Sequence, residues 1–500
     1  MNTTVAALAL VAALAGAGAG AAFAQEVSPT VAAPADWGQA LAEDARAFHD
    51  LIADSHPGPV DAGNPGFGPL LSAGLRTALE RARTADSYAD WYFALQEFSS
   101  SFDDGHLSLG NFQPMGHVWT SQWPGFLTGL SSDADGEQHR VVFNRDPDVP
   151  PVGAVLVSCD GRPAAALAEE MAGRAAGRWS LASRRMAYAP TIFIDQTNPY
   201  VRRPARCVFA VDGSERSWNL VWRDLAEAVR DEGFAAARSP RHTAPIALRT
   251  WSRGFWVELG GFDGDPDSAD GVRLTPLKAG IAARADEMQT APAVVFDLRG
   301  NRGGSSAWLR AMAESLWGEA WVAAYAPRSS GVEWRASAGN LATVDSYKAQ
   351  LGGDPEIMKW LVRITDGLTE SRAVGRPLWL QADDEARPAA PAAAPMQART
   401  YVLTDYGCAS ACLDAVDLLK ALGAVQIGQE TSADTVYMEI RSQPLPSGRV
   451  TARVPMKVYR GRARGNNETA VPAQAWTGTL SDTAGIEAWV AELDAAASSR

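Results

Sequence analysis

Apolar residues recur at helical spacing near the start of the chain. Between residues 37 and 52 they occupy every third or fourth position: Trp37, Leu41, Ala45, Phe48, Leu51 and Ile52. The stretches 75–83 and 88–98 repeat this spacing, which gathers their apolar side chains on one helix face. Two prolines and a glycine in the segment 55–59 separate the first helix from the next. The pattern predicts an N-terminal helical domain over residues 36–116.

The following part of the chain contains short strand-like runs. Val155–Cys159 leads into Asp160-Gly161, and Cys207–Val211 leads into Asp212-Gly213. Asp-Gly between apolar runs is typical of a turn, because glycine accepts a positive φ. The pattern predicts a β-rich module over residues 117–223.

Strands and helices alternate from residue 243 to residue 500. Ala293–Leu298 is an apolar strand, and a Gly-rich loop and a helix at 306–316 follow it. Tyr401–Thr404 is a second strand, followed by a helix that ends at Gly423 and by a strand at Ala424–Gly428. This order predicts parallel strands joined by crossover helices, and hence an α/β domain. The whole chain is therefore expected to be an α/β multidomain protein.

The first residues are expected to be removed from the mature protein. No charged residue occurs between Val5 and Ala22, and Ala22-Phe23-Ala24 fits a signal-peptidase site. We predict a signal peptide at residues 1–24 and a periplasmic or secreted protein. The alternative is an N-terminal membrane anchor, since the uncharged run approaches spanning length.

Composition and net charge indicate a folded protein and disfavour some classes of binding partner. The chain has 500 residues, 46% of them apolar, which favours two or three folded domains over disorder. Its net charge of −13 disfavours binding to nucleic acid or to an anionic membrane. Residues 387–395 are mostly Pro and Ala, which is typical of an exposed loop or linker.

The chain has four cysteines, Cys159, Cys207, Cys408 and Cys412. An even number in an exported protein favours disulfides, and Cys159 and Cys207 both lie in strand-like runs where they are candidates to pair. Cys408 and Cys412 lie four residues apart across a helix start, where we expect a bridge to be strained. Burial as free thiols is the alternative for all four cysteines. No Cys/His spacing indicates a zinc site.

Two loops carry candidate chemistry. Ser410 follows a strand and a tight turn, at the start of a helix whose backbone N–H groups favour a nearby oxyanion. The alternative is an ordinary N-cap serine. The second loop, residues 297–304, has three glycines that allow close approach of the backbone to a ligand. This loop lacks the Lys-Ser/Thr of a P-loop.

Both loops resemble the paired signature of the S41 serine peptidases. The signature is Asp-Leu-Arg-Gly-Asn-Arg-Gly-Gly at 297–304 and Val-Leu-Thr-Asp-Tyr-Gly-Cys-Ala-Ser-Ala at 402–411. The resemblance implies that Ser410 is the nucleophile and that Gly303 and Ala411 supply the oxyanion hole. It also implies a ClpP/crotonase-like catalytic domain over 243–500 and a PDZ-like module, for which 117–223 is the candidate.

The resemblance is to the tricorn-like branch of that family. The C-terminal processing proteases of the Ser-Lys type carry a lysine about 25 residues after the serine, and residues 431–437 contain none. The tricorn-like branch uses a histidine in an Asp-Gly-His segment and a glutamate roughly sixty residues after the serine. His106 lies in such a segment, and Glu468 follows Ser410 by 58 residues (468 minus 410).

The chemistry of serine favours the same histidine independently. A serine hydroxyl needs a base with a pKa near neutrality, and histidine is the suitable side chain. The six histidines are His49, His56, His106, His117, His139 and His242. His56 precedes a proline and is expected to shape a turn, whereas His106 follows a flexible Asp-Asp-Gly. Glu468 would orient the imidazole, with Asp434 and Glu430 as rival acids.

The sequence thus predicts an exported serine endopeptidase with a Ser410–His106–Glu468 catalytic set, acting on peptide or protein substrates without a metal or organic cofactor. A non-catalytic protein on the same fold that binds peptides or hydrophobic ligands is the alternative from another class. Ester hydrolysis by the same machinery is a weaker alternative. The oligomeric state stays open.

Overall fold

A computed structural model describes residues 34–114, 117–133, 136–237, 242–351, 353, 355–383 and 386–498. The predicted signal peptide lies outside the described residues. Within these ranges no helix has both the length and the apolar character needed to cross a membrane.

The front region is helical, as its apolar spacing predicts. Its elements are helices α1 (Trp37–Ser55), α2 (Phe67–Ala82) and α3 (Tyr88–Ser100) and strand β1 (Ser108–Gly110). Asp36 caps α1 by accepting a hydrogen bond from the Gln39 amide, and Ser87 and Asp90 form a capping box at the start of α3.

The middle region is built around one antiparallel sheet. Its strands are β2 (Gln122–Trp123), β3 (Phe126–Asp133), β4 (Gly136–Asn144), β5 (Val155–Cys159), β6 (Arg162–Pro163), β7 (Arg206–Val211), β8 (Ser214–Asn219) and β9 (Arg223–Asp224). Its helices are α4 (Ala164–Ala168), α5 (Arg174–Ala176), α6 (Ala182–Tyr188) and α7 (Glu227–Ala237). The main sheet has the order β3-β4-β5-β7-β8. Both predicted strands are confirmed, and Asp160 and Asp212 have positive φ in the predicted turns. A disulfide joins Cys159 to Cys207 across the paired strands β5 and β7.

The rear region contains two sheets. Its strands are β10 (Ile246–Trp251), β11 (Gly254–Leu259), β12 (Ala293–Asp297), β13 (Gly331–Arg335), β14 (Leu378–Ala382), β15 (Arg399–Thr404), β16 (Val425–Gly428), β17 (Tyr437–Pro444), β18 (Thr451–Arg460) and β19 (Gln474–Ala475). Its helices are α8 (Gly271–Ala283), α9 (Ala285–Gln289), α10 (Ala307–Trp317), α11 (Glu319–Tyr325), α12 (Ala338–Leu351), α13 (Pro355–Ala373), α14 (Ala411–Ala421) and α15 (Thr483–Ser498). The first sheet has the order β10-β11-β12-β15-β16-β19.

The predicted parallel pairing is confirmed in this first sheet. Strand β12 pairs in parallel with β15, and β15 pairs in parallel with β16. All five residues of β12 are buried, because α10 and α14 cover one face of the sheet and α15 covers the other. The candidate loops 297–304 and 405–410 follow adjacent parallel strands, so both lie at the carboxyl edge of the same sheet.

The second sheet joins the front region to the rear region. Its order is β1-β18-β13-β14, with β17 also paired to β18. Strand β1 from the front region pairs antiparallel with β18, with Leu109 opposite Ala452. The front helices share one hydrophobic cluster with Leu445, Val450, Ala452 and Val454. The mixed α/β fold with several regions is therefore confirmed, while the predicted domain boundaries stay predictions.

Candidate active site

Ser410 lies in a strained turn between β15 and α14. Its φ of 55° and ψ of −128° are unusual for a residue with a side chain. Its side chain makes no capping hydrogen bond to the helix, and the residue is exposed. The alternative of an ordinary N-cap serine is therefore wrong, because the hydroxyl is not engaged with the first turn.

A disulfide between Cys408 and Cys412 brackets this serine. Both cysteines are buried, and their Cα atoms are 5.3 Å apart, within the ordinary range for a bridge. The expectation that this four-residue spacing strains a bridge is thus wrong, because the turn before the helix brings the two Cα atoms to bonding separation. The bridge fixes the chain on both sides of Ser410.

The Gly-rich loop contacts the serine turn directly. The buried Asp405 carboxylate accepts hydrogen bonds of 2.8 Å from the Gly300 and Gly407 amides and so joins the two loops. Burial raises the pKa of Asp405, and these amides act against that rise. A Cβ atom on Gly303 would lie 2.7 Å from the Ser410 Cβ, and Gly303 has a φ of 101°. Only glycine fits there.

The two predicted oxyanion donors differ in their present partners. The Ala411 amide makes no hydrogen bond within the described part of the chain, and it lies 3.0 Å from where a Gly303 Cβ would stand. The Gly303 amide donates to the Asn301 side-chain oxygen at 2.8 Å. Asn301 is buried and its own amide donates to the Leu259 carbonyl. The Gly303 donor is therefore held by its own loop.

His106 lies in the loop between α3 and β1, and its ring is fixed by one hydrogen bond. The Nδ1 atom lies 2.9 Å from the Tyr437 carbonyl oxygen. A carbonyl oxygen only accepts, so the neutral ring carries its proton on Nδ1 and keeps a lone pair on Nε2. The backbone amide of His106 donates to Asp104 Oδ1 at 2.8 Å. This tautomer suits a base that works through Nε2.

The segment 434–437 connects the histidine with the serine. At one end, the Ser410 amide donates to Asp434 Oδ1 at 3.3 Å. At the other end, the Tyr437 carbonyl accepts from His106. The structure therefore brings Ser410 and His106, which are 304 residues apart in sequence (410 minus 106), to opposite ends of one four-residue segment.

Glu468 lies in a loop next to these groups, and within the described residues it makes no hydrogen bond or ion pair to His106. Its carboxylate is exposed and accepts a 2.7 Å hydrogen bond from the Gly465 amide. The neighbouring Asn467 side chain donates to the Asp103 carbonyl at 2.7 Å, so this loop lies against the histidine loop. Of the rival acids, Asp434 contacts the Ser410 amide, and burial raises the pKa of Glu430.

Arg178, from the middle region, joins three segments of the site and was missed by sequence reasoning. Its amide donates to Asp103 at 2.5 Å, and its Nε donates to Asn467 at 2.8 Å. Its guanidinium also donates to the Ala433 carbonyl. Burial lowers the pKa of Arg178. Nothing in its local sequence distinguishes this arginine from others, because its partners come from distant parts of the chain.

A cavity of about 800 Å³ adjoins the histidine loop. It lies between the front helices and the middle region, and Glu97, Asp103, Trp179 and Arg185 are among its lining residues. Its size suits a side chain or a short peptide segment. Among the described residues, no group of His, Cys, Asp and Glu side chains is placed to hold a metal ion.

The chain is similar in sequence to one peptidase family and in structure to several solved proteins. Residues 273–470 match the sequence model of peptidase family S41. A search of curated proteins found no match. Mature CPAF is similar in structure, with a TM-score of 0.57 at 15% identity, covering 92% of this chain and 98% of that chain. Mature CPAF complexed with lactacystin gives 0.56 at 14% identity, covering 92% and 99%. The photosystem II D1 C-terminal processing protease gives 0.33 at 12% identity, covering 88% and 93%.

Proposed function

We propose that the chain is a serine endopeptidase that hydrolyses peptide bonds in peptide or protein substrates, because residues 273–470 match the sequence model of peptidase family S41. Ser410 is the nucleophile, His106 the general base, and Glu468 the acid that supports the histidine. The antiparallel sheet of the middle region supports a PDZ-like module, and the parallel sheet of the rear region supports a ClpP/crotonase-like catalytic domain.

The observation that carries this proposal is the sharing of one short segment by serine and histidine. Asp434 and Tyr437 receive hydrogen bonds from Ser410 and His106, respectively. Ser410 is exposed and uncapped, and the lone pair of His106 Nε2 is free to take a proton. An accessible hydroxyl and a base with a free lone pair are two of the requirements for activating a serine.

The reaction follows from these positions. Ser410 Oγ attacks the substrate carbonyl while His106 Nε2 takes its proton, and the Nδ1 hydrogen bond to Tyr437 keeps the ring in place. The amide of Ala411 and the positive end of α14 stabilise the oxyanion. His106 then returns the proton to the leaving amine, and water releases the acyl group from Ser410 by the reverse sequence.

Two groups must change partners for the full set to operate. The Gly303 amide shares its hydrogen with the oxyanion when negative charge develops there, as a three-centre bond with Asn301. When His106 is protonated, the exposed Glu468 carboxylate exchanges the Gly465 amide for the positive charge of the ring, and the Nδ1 hydrogen bond to Tyr437 is kept. The contact of Asn467 with Asp103 supports this second exchange, because it holds the glutamate loop against the histidine loop.

We also infer export to an oxidising compartment. All four cysteines form disulfides, Cys159 with Cys207 and Cys408 with Cys412. Such pairing is typical of secreted and periplasmic proteins and rare in the reducing cytosol.

Covalent labelling tests the proposal. A fluorophosphonate probe should label the wild-type protein, and Ser410→Ala should abolish labelling while circular dichroism shows an unchanged fold. Ser432→Ala is the matched control and should label normally, since within the described residues this neighbouring hydroxyl hydrogen-bonds only to the Ser183 hydroxyl. A folded wild-type protein that is neither labelled nor able to cleave denatured proteins would instead support the peptide- or ligand-binding alternative.

A further inference from the structure

His56 lies behind the proposed catalytic histidine, at the end of α1. It is completely buried, and its Nδ1 accepts a 2.8 Å hydrogen bond from the Gly58 amide. Its proton is therefore on Nε2, which lies 3.1 Å from Asp104 Oδ2 and donates to it. His56 was expected to shape the turn before Pro57, and its ring also binds Asp104.

Asp104 connects this buried ring to His106. One carboxylate oxygen accepts from His56, and the other accepts from the His106 amide at 2.8 Å. Burial alone would raise the pKa of Asp104, but the His56 hydrogen bond and the nearby imidazoles outweigh it, and the pKa is lowered. A buried, ionised carboxylate thus stands two residues before the proposed base, where its charge is weakly screened.

His56 also contacts the other group that holds His106. Its ring stacks on Phe67, with centroids 4.4 Å apart and planes 15° apart. Its other neighbour is the Tyr437 ring, at 4.5 Å. The carbonyl of the same Tyr437 accepts from His106 Nδ1. One side chain therefore contacts both residues that hold His106: Asp104, which accepts from its amide, and Tyr437, whose carbonyl accepts from its ring.

We propose that His56 is a positioning residue for His106. His56 keeps Asp104 ionised beside the His106 imidazole, and it fixes the Tyr437 carbonyl that orients this imidazole. This inference rests on the proposed function of Ser410 and His106. It gives the protonated imidazole a buried negative partner during the reaction, in addition to the exposed Glu468.

The other acidic side chains near His106 have their own partners, so Asp104 is the buried carboxylate that can act on the imidazole. Asp61 is bound by Arg460 at 2.8 Å and by the Tyr437 hydroxyl. Asp434 lies 3.6 Å from Arg464, and Arg462 is nearby on the same side. Asp103 accepts from the Arg178 amide, and the Arg178 charge also acts on Asp104. Within the described residues, the close side-chain partner of Asp104 is the neutral His56 ring, which donates a hydrogen bond to it.

The rate of fluorophosphonate labelling against pH tests the proposal. His56→Phe keeps the ring stack but removes the donor to Asp104, and Asp104→Asn removes the charge. Both should lower the maximal labelling rate about 10- to 100-fold with the apparent KI of the probe unchanged. His56→Gln, whose amide can donate to Asp104, should recover part of the rate.

The pH profile separates positioning from simple structural support. Asp104→Asn removes an anion that favours the protonated imidazole, so the acidic midpoint of labelling should move toward acid. His49→Phe and Asp50→Asn are matched controls, because His49 and Asp50 form a 2.9 Å pair on the surface of the same helix. These controls should label as the wild type does.

Each outcome is decisive. Folded His56→Phe and Asp104→Asn proteins with the wild-type rate and midpoint would overturn the positioning role and leave the proposed function intact. A wild-type protein that is not labelled at all would overturn the proposed function itself. If His56→Phe does not fold, the midpoint of Asp104→Asn and the partial rescue by His56→Gln decide the question.

Discussion

At the scale of single residues, the site depends on close contacts that only particular side chains allow. Ser410 has a left-handed φ, and Gly303 approaches it so closely that a methyl group cannot be inserted. Backbone strain of this kind persists only where the surrounding contacts impose it. In this turn those contacts come from the buried disulfide and from Asp405.

Gly303→Ala should abolish labelling of Ser410. The new Cβ would meet the Ala409 carbonyl oxygen and the Ser410 Cβ, both at 2.7 Å. Gly423→Ala is the matched control, because Gly423 has a similar φ of 98° but no atom within 4 Å of the new methyl group. Both variants should lose about 1–3 kcal/mol of unfolding free energy from the backbone alone. Equal labelling of the two proteins would contradict the close contact.

Sequence reasoning found the site residues that carry a recognisable motif and missed those that act through distant partners. Ser410 and Gly303 lie in loops whose composition reports their geometry. Arg178 and Tyr437 hold the site together through a guanidinium and a backbone carbonyl, and neither group leaves a pattern in the sequence. His56 was assigned to its turn, because its buried partner Asp104 comes from another loop.

At the scale of elements, the two disulfides perform different tasks. Cys159 and Cys207 close a loop with a sequence separation of 48, whereas Cys408 and Cys412 are separated by 4. On the chain-entropy account, the long loop contributes about 4 kcal/mol to stability and the short loop about 2 kcal/mol. The short loop, however, contains Ser410.

Removal of the Cys159–Cys207 bridge should therefore mainly lower stability, whereas removal of the Cys408–Cys412 bridge should mainly slow labelling. The double variant Cys159→Ala/Cys207→Ala should lose more unfolding free energy in urea, yet label normally. The double variant Cys408→Ala/Cys412→Ala should lose less stability but label more slowly, because the serine turn is released. Normal labelling of the second variant would show that Asp405 and Gly303 hold the turn without the bridge.

The strands of the parallel sheet were predicted from the sequence, whereas the strand pairing of the second sheet was not. Residues 293–297 and 401–404 are continuous apolar runs, typical of strands buried on both faces. Strand β18 has apolar residues at every second position, of which Ala452 and Val454 pack with the front helices and Met456 packs with α12 and α13. Its pairing with β1 depends on contacts far apart in sequence, which periodicity does not report.

At the scale of the whole molecule, one buried histidine makes the fold sensitive to acid. His139 is buried among the β4 and β5 strands and its Nδ1 has no partner within the described residues. Burial lowers the pKa of His139 to about 4, with Glu137 acting against this and Arg185 in its favour. In the unfolded chain a histidine has a pKa of about 6.5, so the unfolded state binds the proton more tightly.

Above pH 6.5 His139 is neutral in both the folded and the unfolded state, and it costs the fold no stability. As the pH falls from 6.5 toward 4, the unfolded state binds a proton that the folded state does not, so the folded state loses stability. The loss amounts to about 3 kcal/mol for one group with this shift. His139→Phe should lose correspondingly less unfolding free energy than the wild type between pH 7 and pH 4, as measured by urea titration. His49→Phe, at a partly exposed position, should follow the wild-type curve.

The pairing of β1 with β18 also sets the order in which the protein can become active. Ser108 begins β1 two residues after His106, and its partner Arg453 lies more than three hundred residues further along the chain. The proposed base, His106, therefore reaches the proposed nucleophile, Ser410, only after the ribosome has released nearly the whole polypeptide. A nascent or prematurely terminated chain keeps the two side chains apart, so an incomplete product would lack the proposed activity.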